Sequence, residues 1–394
     1  MSFFSIRKPV GVATFQSSRP AKSRAPDALE QLVIFIGHHK VGSTSLQDYF
    51  ARNMLHYAQQ GILYPYVEFE GAAHMASQSL HAASPVRLSL NVREPHNALA
   101  FTMLAQAGAR RVPDFLPSLP SLKQMHHALR QQLHHLRPHT AVLVSEVFAN
   151  FGADAPDLAA ELASLFPARN VILYGVFRPI DEYLVAWYGQ RLKFGHALQP
   201  LRTEGASEYA GTIHFDYRKV LNGWRAAFPK AKVILRDYQD LCNSGGIVPD
   251  FLADTGLPQG RHCGTRRMNV SLHPALYEIQ RRGNLELPPK RAARLRALLV
   301  SQTPSLNLPG CREIEMFGAQ RRRDIIQQFD PVTRALGDWV GRAEFFQDLK
   351  RRTRVRPIPE LEAFKTALDR LGDTLPEDTP PDVVDFLSSL NDER

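Results

Sequence analysis

Short apolar runs separated by longer stretches of helical periodicity set the rhythm of this chain. Leu32–Ile36 is continuously apolar and β-branched, the pattern of a parallel strand buried on both faces. Ala141–Val144 and Val171–Phe177 repeat that pattern, Lys232–Leu235 adds another strand, and Gly61–Tyr64, closed by Pro65, a shorter one. Helices are predicted between them: from Ser43 or Thr44 to about Ala58 with Leu46, Tyr49, Phe50 and Leu55 on one side, near Pro156–Leu165, and from just beyond Arg178 to about Lys193. Others are predicted over Tyr217–Phe228 and near Val248–Asp254, and within 66–140 around 74–82, 95–109 and 121–136. Strand–helix alternation predicts an α/β fold with a mostly parallel sheet flanked by helices, and from residue 273 onward the pattern is chiefly helical.

Three regions follow. Residues 1–28 are rich in Ser, Arg, Pro and Lys without periodicity and read as a flexible basic arm. Residues 29–350 form the α/β domain, and 351–394 a helical C-terminal extension in which LGDTLPEDTPP, around 371–381, reads as a linker before a short acidic tail. Hydrophobic content of 44% and charged content of 22% are those of a globular chain. The 48 Lys+Arg against 39 Asp+Glu favour anionic partners, but the excess is diffuse apart from Arg321–Arg323 and Lys350–Arg354, and no nucleic-acid partner is expected.

Cys242, Cys263 and Cys311 are odd in number and widely spaced, and show neither a disulfide framework nor a CxxC zinc site, which points to a reducing, cytoplasmic setting. The N-terminal MSFFSIRKPVGVATF has no apolar core of signal-peptide length, and no apolar run is long enough to span a bilayer, which leaves peripheral contact with a membrane surface open. His126, His127, His134 and His135 invite a metal reading, but adjacent helical residues diverge by about 100°. They read as a solvated helix face, and no metal is expected.

The candidate chemistry lies in Val33–Ser45, VIFIGHHKVGSTS. Gly37 and Gly42 have the separation of a Walker A loop, yet Ser43 stands where its lysine would be and Lys40 comes two residues before Gly42. The backbone mechanism survives that change. A strand ends, glycines permit tight turning, and the helix N-terminus presents free N–H groups and a positive dipole end to an anion. Ser43, Thr44 and Ser45 add hydroxyls and Lys40 a point charge.

HHKVGSTSLQDYFARN followed by GILYP resembles the PAPS-dependent sulfotransferases, in particular a bacterial branch whose loop reads roughly HxKTGSTSLQ. The resemblance covers roughly residues 30–350 and implies 3′-phosphoadenosine 5′-phosphosulfate (PAPS) as co-substrate on a P-loop-type sheet. It implies that His39, Lys40, Gly42, Ser43, Thr44 and Ser45 line the 5′-phosphosulfate pocket, with Lys40 steadying charge on the bridging oxygen. In VFRPIDEYLVAWY, Arg178 matches the arginine of the family's 3′-phosphate signature, but Ala186 stands where that signature carries a serine. FDYRKVLNGW followed by AFPKAKVILRDYQDL, and GGIVPDFLADTGL, are similar to later family segments. RRMNVSL resembles an Arg-x-Asn-x-Ser segment near the nucleotide's 3′ end, which implies Arg267, Asn269 and Ser271 as further contacts.

Sulfuryl transfer also needs a base for the acceptor proton, and in the family this is a histidine or a glutamate. His74 follows the second strand, Glu68 lies three residues past Pro65, and Glu146 ends the strand AVLVSE. All three stand as candidates; His38 and His39 read as loop-entrance packing or acceptor contacts. The expected acceptor is a hydroxyl or amine of a carbohydrate, glycoconjugate or lipid-linked glycan. Two further readings stand beside this one: a degenerate, non-catalytic nucleotide- or anion-binding member, suggested by Ala186, and a phosphotransferase, which would lack the Walker A lysine and a clear Walker B acid.

Overall fold

Leu32–Phe35 are wholly excluded from solvent because the strand they belong to, β1 (Leu29–Phe35), is the middle of the sheet. In this computed structural model, which describes residues 28–80, 87–116, 118–262 and 271–392, the other strands are β2 (Ile62–Leu63), β3 (Thr140–Val144), β4 (Ala168–Phe177) and β5 (Lys232–Asp237). Their order is β2-β3-β1-β4-β5, and every neighbouring pair is parallel, with Val33 in register with Val142 on one side and Ile172 on the other. All carboxyl ends therefore meet at one edge. The connection after β1 leads to β2 and the one after β3 leads to β4, so the two loops diverge and open a crevice above adjacent strands.

The helices that shape this edge are α1 (Ser43–Arg52), α2 (Phe69–Leu80), α3 (Pro95–Gln106), α4 (Leu122–Leu136), α5 (Ile180–Lys193) and α6 (Ile247–Thr255). One sheet face, with Val33, Phe35, Val142 and Tyr174, packs on α1 and α6 through Leu46, Phe50 and Phe251. The other face, with Leu32, Ile34, Leu143 and Leu173, packs on α3 and α4 through Leu99, Met103 and Met125. That second core runs on into α7 (Ala319–Trp339), α8 (Glu360–Thr374) and α9 (Pro381–Asp392) through Phe329, Leu368, Leu371 and Phe386.

Several expectations shift. The helix expected from Ser43 to about Ala58 breaks at Asn53, whose side chain donates to Tyr49 O (2.8 Å) and accepts from His262 N (2.9 Å). Residues 371–374 belong to α8 rather than to a linker, and the acidic tail is a helix that buries Val383, Phe386 and Leu390. His126 is buried while His127, His134 and His135 are exposed. The basic arm lies outside the described residues, apart from Ala28. No helix among the described residues is long and apolar enough to cross a membrane.

The C-terminal part is tied to the sheet by charge as well as by packing. Asp181, in the first turn of α5 and buried, meets Arg322 (2.9 Å), Arg356 (3.1 Å) and Arg352 (3.3 Å). Burial alone would raise its carboxyl, but Arg352, Arg322 and Arg356 outweigh that and hold it below the ordinary value. Ile314–Glu315 and Ile358–Pro359 form a small parallel pair that brings Arg312 and Arg356 to the same end of α5.

Candidate active site

Glycine is required at both ends of the turn after β1. A Cβ on Gly37 would lie 2.8 Å from the backbone nitrogen of Val176, so any side chain there would push the loop off β4. Gly42 has φ 94°, a left-handed conformation, and begins α1 with no side-chain cap. Lys40 also has positive φ (63°), which a non-glycine residue adopts at a cost of about 1–2 kcal/mol. Strain of this kind collects at functional sites. The amides of Lys40, Val41, Gly42 and Ser43 have no partner among the described residues. A row of N–H donors at a helix N-terminus suits an anion.

Arg178, leaving β4, fixes this turn from the side. Its Nη1 donates to the Lys40 carbonyl (3.0 Å), its guanidinium stacks 3.9 Å from the Tyr238 ring centroid, and its own carbonyl accepts from Tyr217 Oη (3.0 Å). The buried Nε of Arg178 has no partner among the described residues, so one cationic donor remains for a ligand. Lys40 Nζ reaches Gln190 Oε1 on α5 at 3.3 Å. Burial lowers the Lys40 ammonium to about 8, Lys193 and Arg178 push the same way, and Glu146 opposes them. Lys40 and Glu146 thus stand within electrostatic reach across the crevice between β1 and β3.

Glu146 sits where β3 gives way to a 3-10 turn, Glu146–Asn150. Its Oε1 accepts from Asn97 Nδ2 (3.3 Å), and its buried Oε2 has no partner. Asn97 is the hub beside it: its Oδ1 accepts from Gln47 (2.9 Å) and Ser145 (2.6 Å), and its Nδ2 also donates to Glu94 (2.9 Å). Burial first, and the Glu94 carboxylate second, push the Glu146 carboxyl up to about 7, while its own backbone and the nearby Ser43 and Asn97 side chains work against the shift. A carboxyl titrating near neutrality with an open oxygen is able to take a proton at physiological pH.

Of the other candidates, His74 lies away from the loop. His74 is buried on α2, where its Nε2 is 3.2 Å from Ala51 O and 3.1 Å from Gln78 Nε2. Ala51 is eight residues along α1 from Ser43, about 12 Å from the helix N-terminus, so the structure does not bring His74 to the loop. Glu68 follows β2; its carboxyl is raised by burial and by Glu70 and hydrogen-bonds Asn91. His38 turns inward, with Nε2 2.7 Å from Ile213 O and its ring 4.2 Å from that of Tyr183, and burial lowers it to about 3. His39 packs on Trp187 (4.8 Å) and is likewise lowered to about 3, chiefly by burial. Both histidines are neutral here. Arg267 and Asn269 lie outside the described residues.

Two cavities flank the loop. One, about 310 Å³, is lined by Lys40, Arg178, Ala186, Lys193, Arg312 and Arg356 among others, with Ser271 at its border. The second, about 590 Å³, is lined by Gly42, Ser45, Tyr49, Tyr238, Leu241 and Ile247 among others. Sequence reasoning missed Gln190 and Lys193, although they follow Ala186 at i+4 and i+7 and so share its helix face. It also missed Tyr238, Asn97 and the two C-terminal arginines, which no local spacing connects to the loop. Among the described residues no group of three or more His, Cys, Asp or Glu is arranged to hold a metal ion. No family model, no curated protein and no solved structure matches the chain.

Proposed function

We propose that this protein is a PAPS-dependent sulfotransferase on a P-loop-type sheet, acting on a hydroxyl or amine of a carbohydrate, glycoconjugate or lipid-linked glycan. The observation that carries this reading is the pair of groups at the carboxyl ends of β1 and β3: Lys40 on a strained turn suited to an anion, and Glu146, whose charge Lys40 feels, with an unpartnered oxygen and a carboxyl raised to about 7. The open Nε of Arg178, the unpartnered loop amides and the cavity beside Tyr238 suit a phosphorylated adenine nucleotide. PAPS supplies an activated sulfuryl group there. Glu146 takes the proton from the acceptor oxygen as that oxygen bonds to sulfur, and Lys40 meets the charge that develops on the departing phosphate oxygen. The products are a sulfated acceptor and 3′-phosphoadenosine 5′-phosphate.

The test is calorimetric titration with 3′-phosphoadenosine 5′-phosphate, with ADP and ATP–magnesium as controls, followed by transfer from PAPS in the presence of chelator. Binding of the bisphosphate with chelator-tolerant transfer supports the reading; binding of ATP–magnesium alone sinks it. A non-catalytic nucleotide-binding protein is the second reading, favoured by Ala186, and it predicts bisphosphate binding with no transfer to any acceptor.

A further inference from the structure

We infer that Arg312 and Arg356, from the C-terminal part of the chain, complete the site for the nucleotide's 3′-phosphate and replace the hydroxyl that Ala186 cannot provide. The inference rests on the proposed sulfotransferase reading and deepens it.

Arg178, two residues before α5 begins, and Ala186, nearly two turns into that helix, line the same cavity of about 310 Å³. Around it stand six cations, Lys40, Arg178, Lys193, Arg312, Arg322 and Arg356, against two carboxylates, Asp181 and Glu182. That surplus exceeds what the loop lysine and Arg178 alone would give. The two carboxylates are already engaged: Asp181 by Arg322, Arg352 and Arg356, Glu182 by Arg352 at 2.9 Å.

The arginines differ in what they have left to offer. Arg322 is buried, with Nε on Glu315 (2.7 Å) and Nη1 on both Asp181 and the Arg352 carbonyl. Arg312 uses only Nη2, which donates to Gln239 (2.8 Å) and lies 3.5 Å from Glu182, and its side chain is 60% exposed. Arg356 likewise commits only Nη2, to Asp181. Each therefore keeps Nε and Nη1 without a partner among the described residues. Each of these free N–H groups can donate to a phosphate oxygen, and each guanidinium adds its positive charge to the cavity. Gln239 follows Tyr238, whose ring carries the Arg178 guanidinium, so Arg312 is anchored beside Arg178 itself.

The experiment compares 3′-phosphoadenosine 5′-phosphate with AMP by calorimetry, on the full chain and on Arg312→Ala, Arg356→Ala and Arg354→Ala. Arg354 is exposed and outside this cavity, so its variant measures the effect of lost surface charge. The expected result is a loss of roughly ten- to a hundredfold in bisphosphate affinity for Arg312→Ala and Arg356→Ala, with AMP affinity and the Arg354→Ala protein almost unchanged. Adding Ala186→Ser to Arg312→Ala should recover part of the loss. Since Arg356 also braces Asp181, the exposed Arg312 decides the matter if Arg356→Ala unfolds. Unchanged bisphosphate binding by Arg312→Ala, or an equal loss for AMP, overturns the inference while leaving the proposed function standing. Failure of the unaltered protein to bind the bisphosphate removes both.

Discussion

Arg178 Nη1 donates to the carbonyl of Lys40 at 3.0 Å, joining the end of β4 to the turn that follows β1. The bond holds Lys40 in its left-handed conformation and leaves the lysine side chain free to point at Gln190. A side chain at the end of one strand thus sets the backbone of the loop after the next, which joins two separated sequence segments into one structural unit.

Lys40→Ala should lower the transfer rate by about 10²–10³ at saturating PAPS, and weaken bisphosphate binding far less, because the charge it meets appears mainly as the bond to sulfur breaks. Single-turnover rates alongside calorimetry separate the two effects. Equal losses in both would make Lys40 a binding residue only.

Transfer should follow a narrow bell in pH. Glu146 must be ionised to accept a proton and is raised to about 7; Lys40 must be protonated and is lowered to about 8. kcat/KM should therefore rise through about 7 and fall above about 8, and Glu146→Gln should lack the acid limb as well as most activity. A profile flat from pH 6 to 9 would exclude both assignments.

The same carboxyl should leave a mark on stability. A folded-state value raised above the unfolded 4.5 means that protonated Glu146 suits the fold, so its stabilising contribution is complete below about 4.5 and lost as pH rises through about 7. Against Glu146→Gln, the unaltered protein should lose on the order of 1–3 kcal/mol between pH 5 and 8. Denaturant unfolding at several pH values reads this directly, and parallel curves for the two proteins would contradict it.

Gly42→Ala should cost about 1–2 kcal/mol through backbone strain, because the nearest atom to a new Cβ, Ile247 Cγ2, stands at an ordinary 3.4 Å. Nucleotide affinity should fall with it. Thermal unfolding with and without bisphosphate checks both; a variant that binds as well as the parent would show that the loop tolerates another conformation.

His74→Ala should lower stability by about 1–2 kcal/mol through the lost bond to Ala51 O, and leave kcat nearly intact. A large loss of turnover with unchanged stability would instead return His74 to the role of base.

The strands were legible in the sequence because burial on both faces of a parallel sheet demands unbroken apolar runs, and Val33–Phe35 cannot be mistaken for a surface segment. The loop was legible because glycine, lysine and hydroxyls crowd a short span after such a run. What escaped notice depends on distant partners. The break at Asn53 answers to the backbone of His262, some two hundred residues on. His74 and Glu146 looked alike as candidates, since sequence does not tell that one helix turns its histidine toward Ala51 while a strand end delivers its carboxylate to the crevice. Arg312 and Arg356 reach the site through the pairing of Ile314–Glu315 with Ile358–Pro359, a two-residue ladder too short to announce itself.

The clasp on Asp181 sets an order of events during synthesis. Every strand of the sheet, and the whole loop, leaves the ribosome before Arg322, Arg352 or Arg356 does. Until they arrive, α5 carries a carboxylate whose burial without counter-charge costs several kcal/mol, so its first turn cannot settle into its final place. A nascent chain therefore owns the turn after β1 early and closes the rim around α5 late, and a stop codon before Arg322 leaves Asp181 without these counter-charges.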